Sequence, residues 1–317
     1  MSGTARTWLR RCGIAGVAAA LALAGLAPAG AARPQPVIPV DAVRVVTFNV
    51  LAPPWTDPSY YPAAAAPLLD RATRRAHIVA WLQSQAATTD VFSLQETTPV
   101  EMGYVAAALP GFTPFQANHT PEHWSNWITP AAPWEPNGVA LLVKRSRFDA
   151  LSFADIALTT DGDHAAMLTA TSTTTGRTVR VISAHLDSDH AGNRDRELNA
   201  ALAFLPPGTG SLDLLTGDLN TDTDTGNFHT ALAKAGFVDV LDAVGTSTWT
   251  SPYTEKYYGN GQWGDIDHVL VRGARPTSGR VEDFGQLTTI ADQDARIVAN
   301  LRTSGSDHYP VVAAVTG

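Results

Sequence analysis

The sequence predicts an α/β fold in which two β-sheets face one another with helices outside, and three observations carry the prediction. Short apolar, β-branched runs such as residues 43–46, 139–143, 179–182 and 212–215 recur along the chain. Runs this short, bounded by turn residues, read as buried strands. Between them lie longer stretches with apolar residues at helical spacing, and no internal repeat or second composition regime interrupts the alternation.

The first strand is expected over residues 43–51. A loop rich in Pro, Tyr and Trp (53–67) leads to a helix over 68–85, in which Leu69, Ala72, Ala76, Val79, Ala80 and Leu82 mark the apolar stripe. A strand at 91–94 precedes a short helix starting at Pro99, a position where proline loses no intrahelical hydrogen bond. Strands follow at 112–116, 138–143, 166–173 and 178–183, the last two joined by a hairpin turn over Thr175, Gly176 and Arg177. A helix over 193–204 ends at Pro206-Pro207-Gly208. Then come a strand at 212–216, a helix near 227–234, a strand near Val238, strands at 269–271 and 280–284, and a last strand after Pro310.

A polar motif is read at the end of each of six apolar runs: Thr47-Phe48-Asn49, Leu94-Gln95-Glu96, Ala184-His185-Leu186, Thr216-Gly217-Asp218-Leu219-Asn220, Asp265-Ile266-Asp267-His268 and Ser306-Asp307-His308-Tyr309-Pro310. Strand ends let a rigid scaffold aim side chains at one point. Converging strands would gather Asn49, Glu96, His185, Asp218, Asn220, Asp267, Asp307 and His308 into one pocket, a set that suits a hard cation and a phosphoester. Glu96 closes a strand that would bury it, which is costly for a lone carboxylate unless it is paired or metal-bound; stabilising a helix N-terminus is its alternative role. Asp218 and Asn220, two apart, share one side of an extended segment, although an Asx-turn would also explain them. Asp307 and His308 are neighbours on extended chain and point oppositely, so Asp267 is the better partner for His308.

The order and spacing of the six motifs resemble the endonuclease/exonuclease/phosphatase superfamily, the fold of pancreatic deoxyribonuclease, over about residues 43–315. His185-Leu186-Asp187 with Asn193-Arg194-Asp195-Arg196-Glu197 is similar to its histidine turn and arginine-bearing helix, and Asn137 to Val143 to its central strand. The resemblance implies a four-layer α/β/β/α sandwich of two mixed sheets flanked by helices, and hydrolysis of phosphoesters with Mg²⁺ or Mn²⁺. It implies that Asn49, Glu96 and Asp307 hold the metal, Asp218 positions or deprotonates the nucleophile, and Asn220 stabilises the pentacoordinate phosphorus. Asp267 would pair with His308, and His185 would contact the scissile phosphate or leaving oxygen. Asn137 is a phosphate ligand or a turn residue beside Gly138; His268 is read as structural, and Asp187 and Arg194 as supporting groups.

Arg6, Arg10 and Arg11, the apolar stretch 14–26 and Ala29-Gly30-Ala31 read as a secretory signal peptide over residues 1–31. The apolar stretch falls short of the ~20 residues of a membrane span, and Arg10-Arg11 leaves the twin-arginine route open beside the Sec route. Residues 32–41 read as a Pro/Ala-rich tether and 42–317 as the domain, expected to be a secreted or extracytoplasmic monomer with no stable membrane span. Cleavage would remove Cys12, the sole cysteine, excluding a cysteine nucleophile or a thiolate zinc site and leaving stability to the core. The loss of three arginines would also take the formal charge from −8 to −11. That argues against a broad electrostatic grip on nucleic acid, although a cation and a local basic patch could offset it.

Residues 121–136 hold Trp124, Trp127 and Trp134, and the approach to Asp267 holds Tyr253, Tyr257, Tyr258 and Trp263. These are stacking groups for bases or lipid headgroups, or plugs for large loops; Trp127 and Trp263 are the candidate substrate contacts. A nuclease is the first reading of the substrate, a sphingomyelinase-like or small-phosphoester phosphatase the second. A catalytically inactive binding module on the same scaffold is the alternative of another class, against which the clustered carboxylates count.

Overall fold

The computed structural model describes residues 41–120, 135–159, 162–223, 226–251 and 264–317. The predicted leader and nearly all of the tether lie outside the described residues. In chain order the elements are β1 (Val43–Asn49), α1 (Arg71–Gln85), β2 (Val91–Thr97), α2 (Pro99–Ala108), β3 (Phe112–Asn118), β4 (Gly138–Lys144), β5 (Phe148–Ala157), β6 (His164–Ser172) and β7 (Thr178–His185). They continue with α3 (Ala191–Ala203), β8 (Leu212–Asp218), α4 (Gly226–Ala235), β9 (Val238–Asp239), α5 (Val240–Val244), β10 (Asp267–Arg272), β11 (Arg275–Val281), α6 (Gln286–Thr289), α7 (Gln293–Thr303) and β12 (Val311–Thr316).

Among the described residues two six-stranded sheets form, ordered β11-β12-β1-β2-β4-β3 and β5-β6-β7-β8-β10-β9. Both are mixed: β1 runs parallel to β2, and β7 to β8, while the remaining pairs are antiparallel. Alternate residues of each strand serve different layers. Val43, Val45, Val139 and Leu141 meet Leu168, Val181, Leu214 and Val269 between the sheets. Val46, Phe48, Phe92 and Leu94 face Ile78, Trp81 and Leu82 of α1 and Met102 and Val105 of α2, and Ile182, Leu215 and Leu270 face Leu198 of α3 and Phe228 and Leu232 of α4. Strands buried on both faces read as continuous apolar runs, which is why they were legible. The expected four-layer α/β/β/α sandwich is the observed fold.

Three expectations are corrected. The helix predicted from Leu68 starts at Arg71, capped by the Asp70 side chain accepting from Thr73 N, after a 3₁₀ turn at Ala63–Leu68. Its buried face is Arg74, Ile78, Trp81 and Leu82, whereas Ala72, Ala76 and Ala80 face solvent. The strand placed at 280–284 runs instead from Arg275 to Val281. The sequence reading also lacked β5 and α7: β5 is a half-exposed edge strand whose alternation breaks at a register shift between Asp149 and Ser152, and α7 buries only Ile297, Asn300 and Leu301.

Toward one edge the inter-sheet layer turns polar. Ser93 Oγ donates to Ser183 Oγ at 2.8 Å, Thr216 Oγ1 lies 2.8 Å from Ser93 Oγ, and Gln95 Nε2 lies 3.2 Å from Ser183 Oγ. These buried hydroxyls tie the sheets together beneath the edge where the polar motifs gather. Among the described residues no helix is long and apolar enough to cross a membrane.

Candidate active site

Register brings the motifs to that edge. Asn49 pairs with Gln95 across β1 and β2, His185 with Asp218 across β7 and β8, and Asp267 with Asp218 across β10 and β8. Asp267 and the Asp307-His308 pair stand at the start of their strands, not the end; antiparallel pairing delivers them to the same edge.

Glu96 reaches the site through an irregularity. It sits at a register shift between Gln95 and Thr97, with a left-handed φ of 57° that a residue bearing a Cβ adopts at a cost of ~1–3 kcal/mol. The bulge turns its carboxylate to accept from Asn49 Nδ2 at 2.8 Å and from Ala52 N at 2.7 Å. Asn49 Nδ2 also donates to Asp218 Oδ2 at 3.0 Å, while Asn49 Oδ1 accepts from Leu51 N at 2.9 Å. One carboxamide therefore links the carboxylates of two sheets.

Asp218 is the hub. Oδ2 lies 3.6 Å from His185 Nε2 and 3.7 Å from His308 Nε2, and Oδ1 accepts from Asn220 N at 3.0 Å. The Asx-turn weighed from sequence is thus formed, and it coexists with placement in the pocket. Asn220, with φ 51°, donates Nδ2 to Leu186 O at 2.8 Å, fastening the histidine turn to the end of β8. His308 Nδ1 lies 2.8 Å from Asp267 Oδ2, the partnership expected from sequence. Burial disfavours the charged imidazole, but the Asp267 and Asp218 carboxylates outweigh it and hold the His308 pKa well above the usual histidine range. Asp267 is itself pushed up by burial, to which the Asp218 charge adds.

Asp307 accepts from Tyr61 hydroxyl at 3.1 Å and from Ser306 Oγ at 3.3 Å; Ser306 Oγ also lies 2.6 Å from Asn49 O. Burial raises the Glu96 pKa, and the charge of Asp307 raises it further. A buried carboxylate with a second one beside it is a donor set that fits a hard divalent cation. Asp218, Asp267 and His308 also bring ligand-type atoms within 4.8 Å of one another. The His308–Asp267 hydrogen bond already commits two of those groups, so Glu96 and Asp307, with the second lone pair of Asn49 Oδ1, form the better cradle.

Several contributors were not read from sequence. Tyr61 arrives on the Pro-rich loop after β1, with only its aromatic richness as a signal. Arg74, 3% exposed, donates to Val50 O and Gly305 O at 3.1 Å each, gripping the backbone beside both proposed metal-binding carboxylates. Thr250 Oγ1 accepts from Asp267 N and Ile266 N at 3.0 Å, and Asn300 Nδ2 holds Ser306 O and His308 O at 3.0 and 2.8 Å. His119 is buried with its ring 6.4 Å from that of His185.

Among the supporting groups, Asp187 closes the turn by accepting from Asp189 N and His190 N, and Arg194 Nη1 holds Asp187 O at 3.0 Å. His268, read as structural, bridges Asp239 Oδ2 and Thr221 O. Asn137 is buried at the same edge, with Nδ2 on Glu135 O at 3.3 Å and no hydrogen bond to the cluster. Trp127 and Trp263 lie outside the described residues.

A sequence model described as the Endonuclease/Exonuclease/phosphatase family matches residues 46–308. No curated protein matches. Similar solved structures include a mannosyl-6-phosphatase of Bacteroides thetaiotaomicron VPI-5482, 17% identical with TM-score 0.58, covering 87% of this chain and 100% of that one. Another is D. rerio TDP2 complexed with single-strand DNA product, at 16% identity and TM-score 0.55, with coverages of 87% and 99%. A third is ANGEL2, a 2',3'-cyclic phosphatase, at 13% identity and TM-score 0.62, with coverages of 86% and 95%. At these identities the likeness is one of fold.

Proposed function

The chain belongs to the endonuclease/exonuclease/phosphatase family and is a metal-dependent hydrolase of phosphoester bonds; from that premise we propose an exported enzyme, using Mg²⁺ or Mn²⁺, that acts on a small or terminal phosphoester. The observation that carries the reaction is the position of Asp218, one carboxylate facing two imidazoles with a paired carboxylate behind one of them.

Asn49, Glu96 and Asp307 would hold the cation, which when bound would draw charge from a phosphoryl oxygen. Asp218 accepts a proton from the attacking water, with Asn49 Nδ2 fixing the orientation of its carboxylate. His308, its Nδ1–H hydrogen-bonded to Asp267 Oδ2, turns Nε2 to the pocket to donate to charge developing on oxygen. The second hydrogen of Asn220 Nδ2 and the imidazole of His185 supply further donors. The backbone ties through Arg74, Ser306 and Asn300 keep these groups from rearranging as charge builds.

Two of the structural neighbours are called phosphatases and one was solved with a DNA product. Charge placement favours the first kind: Lys144, Arg145, Arg177 and Arg275 lie at the far end of the strands from Asp218. The nuclease reading keeps its support from the aromatic residues of 121–134 and 252–263.

Activity should vanish in excess chelator and return with Mg²⁺ or Mn²⁺, and a substrate panel should rank soluble phosphoesters above plasmid DNA and sphingomyelin in kcat/KM. Undiminished activity in chelator would overturn the metal role; plasmid DNA ranking first would restore the nuclease.

A further inference from the structure

The strands place the catalytic carboxylates at one end of the sandwich and gather cations at the other, where β1, β7 and β8 begin and β4, β6 and β10 finish. Lys144 ends β4, the exposed Arg145 follows, Arg177 lies in the β6–β7 turn, and the exposed Arg275 opens β11 opposite Thr316. Lys144 Nζ donates to Ala87 O at 2.9 Å and Arg145 Nη1 to Phe112 O at 2.7 Å. Arg177 Nε and Nη2 donate to Gly210 O and Ser211 O, each at 3.0 Å. Carbonyl oxygens satisfy these donors without neutralising their charge. Of the carboxylates at this end, Asp213 is engaged with Arg180 at 2.7 Å and Arg272 at 2.6 Å and Asp90 with Arg147 at 3.1 Å, while Asp41 and Asp149 are exposed. A chain of formal charge −8 thus keeps a positive surplus on one end.

Phe204 stands at the same end. It follows α3, is 46% exposed, and begins a loop whose backbone is held by Arg272 Nη2 on Leu205 O at 2.5 Å and Arg180 Nη2 on Pro206 O at 3.0 Å. An exposed aromatic ring at the same end as the cations suits the interfacial level of an anionic bilayer. A nucleic acid bound here would gain nothing from the ring unless its bases were splayed out, and would lie far from the reacting groups.

We propose that this end docks the domain on an anionic lipid surface with the catalytic edge facing away. Strands of seven residues separate the two ends by roughly 20 Å. A phosphate of the same bilayer cannot reach Asp218 in that pose. The substrate of the docked molecule is then a soluble phosphoester, a conclusion that rests on the small-substrate reading above, whereas docking itself does not.

The chain without residues 1–31, the form expected after export, is titrated with phosphatidylglycerol-containing and pure phosphatidylcholine vesicles at low and high salt, with duplex DNA as a third arm. The expected result is preference for the anionic vesicles at low salt that disappears at high salt. Lys144→Glu combined with Arg145→Glu and Arg275→Glu should lower partitioning at least ~10-fold while turnover of a soluble phosphoester is unchanged. Phe204→Ser should lower it about threefold. If the triple variant does not fold, Arg275→Glu alone carries the test, with about a fivefold loss. Equal binding to both vesicle types, salt-insensitive binding, unaltered binding by the variants, or preference for DNA would each overturn the docking proposal. Because turnover is measured separately, loss of docking with activity intact is distinct from failure of the phosphoesterase reading.

Discussion

His308 shows how far a side chain's chemistry depends on its partners. An isolated imidazole titrates near neutrality, but this one is buried between Asp267 and Asp218, whose charges outweigh the burial and hold its pKa well above that. His308→Ala should lower kcat by ~10² to 10⁴ with an unchanged circular dichroism spectrum. A loss under about threefold, well short of that range, would remove it from the catalytic set. Tyr61 acts at one remove, through its 3.1 Å hydrogen bond to Asp307. Outer partners of metal ligands are typically worth 10- to 100-fold in affinity. Tyr61→Phe should therefore weaken Mn²⁺ binding by ~10-fold in calorimetry, with kcat recovered at saturating metal; unchanged affinity would make the tyrosine a packing residue. The sequence disclosed the identities of Asp267 and His308 and their pairing. It did not single out Tyr61 within its aromatic-rich loop, because the partner lies 246 residues away.

At the scale of elements, the site exists because certain strands tolerate departures from ideal pairing. Glu96 is aimed by a bulge, and Gly217 allows β8 to pass against β7. A Cβ on Gly217, where φ is 148°, would lie 1.8 Å from Ala184 O, in the strand that carries His185. Gly217→Ala should destabilise the fold by ~2 kcal/mol or more and displace Asp218, lowering activity as well as the denaturation midpoint. Gly103 in α2 is the control: nothing lies within 4 Å of its Cβ position, and alanine there should stabilise by ~0.5–1 kcal/mol. Equal stability of the two variants would contradict the close approach. Hydrophobic runs made most strands legible, but a bulge leaves no such trace, because it inserts one residue without changing composition. The buried face of α1 is hidden from sequence for a related reason: alanines are compatible with either side, and the buried position Arg74 is charged.

Across the whole molecule, buried ionisable groups set how stability depends on pH. Glu197, fully buried, accepts from Asp187 N at 2.7 Å, while its other oxygen lacks a well-formed hydrogen bond. Burial, reinforced by the Asp163 charge, raises its pKa from 4.5 to about 8. Its contribution to stability is complete below pH 4.5 and is lost as pH rises through about 8. His268 behaves alike higher up: burial opposes its charge, but Asp239 prevails and raises it to about 10, so its contribution is lost between pH 6.5 and 10. Stability should fall steadily from weakly acidic to alkaline pH. Glu197→Gln should flatten the decline below pH 8 and leave the His268 part above it; parallel denaturation profiles for the two proteins across that lower range would refute the assignment. What the sequence by itself determined was the layered α/β architecture, the order of the strands' polar borders and the reaction class those borders imply. These are written in neighbouring residues, because burial on two faces demands unbroken apolar runs and a turn demands particular residues at its tip. The tertiary structure alone decided that Asn49 would join Glu96 to Asp218, 169 residues on, and that cations would collect opposite the catalytic edge. Such contacts depend on the register of two sheets closing on each other, a property of the assembled chain that no local window contains.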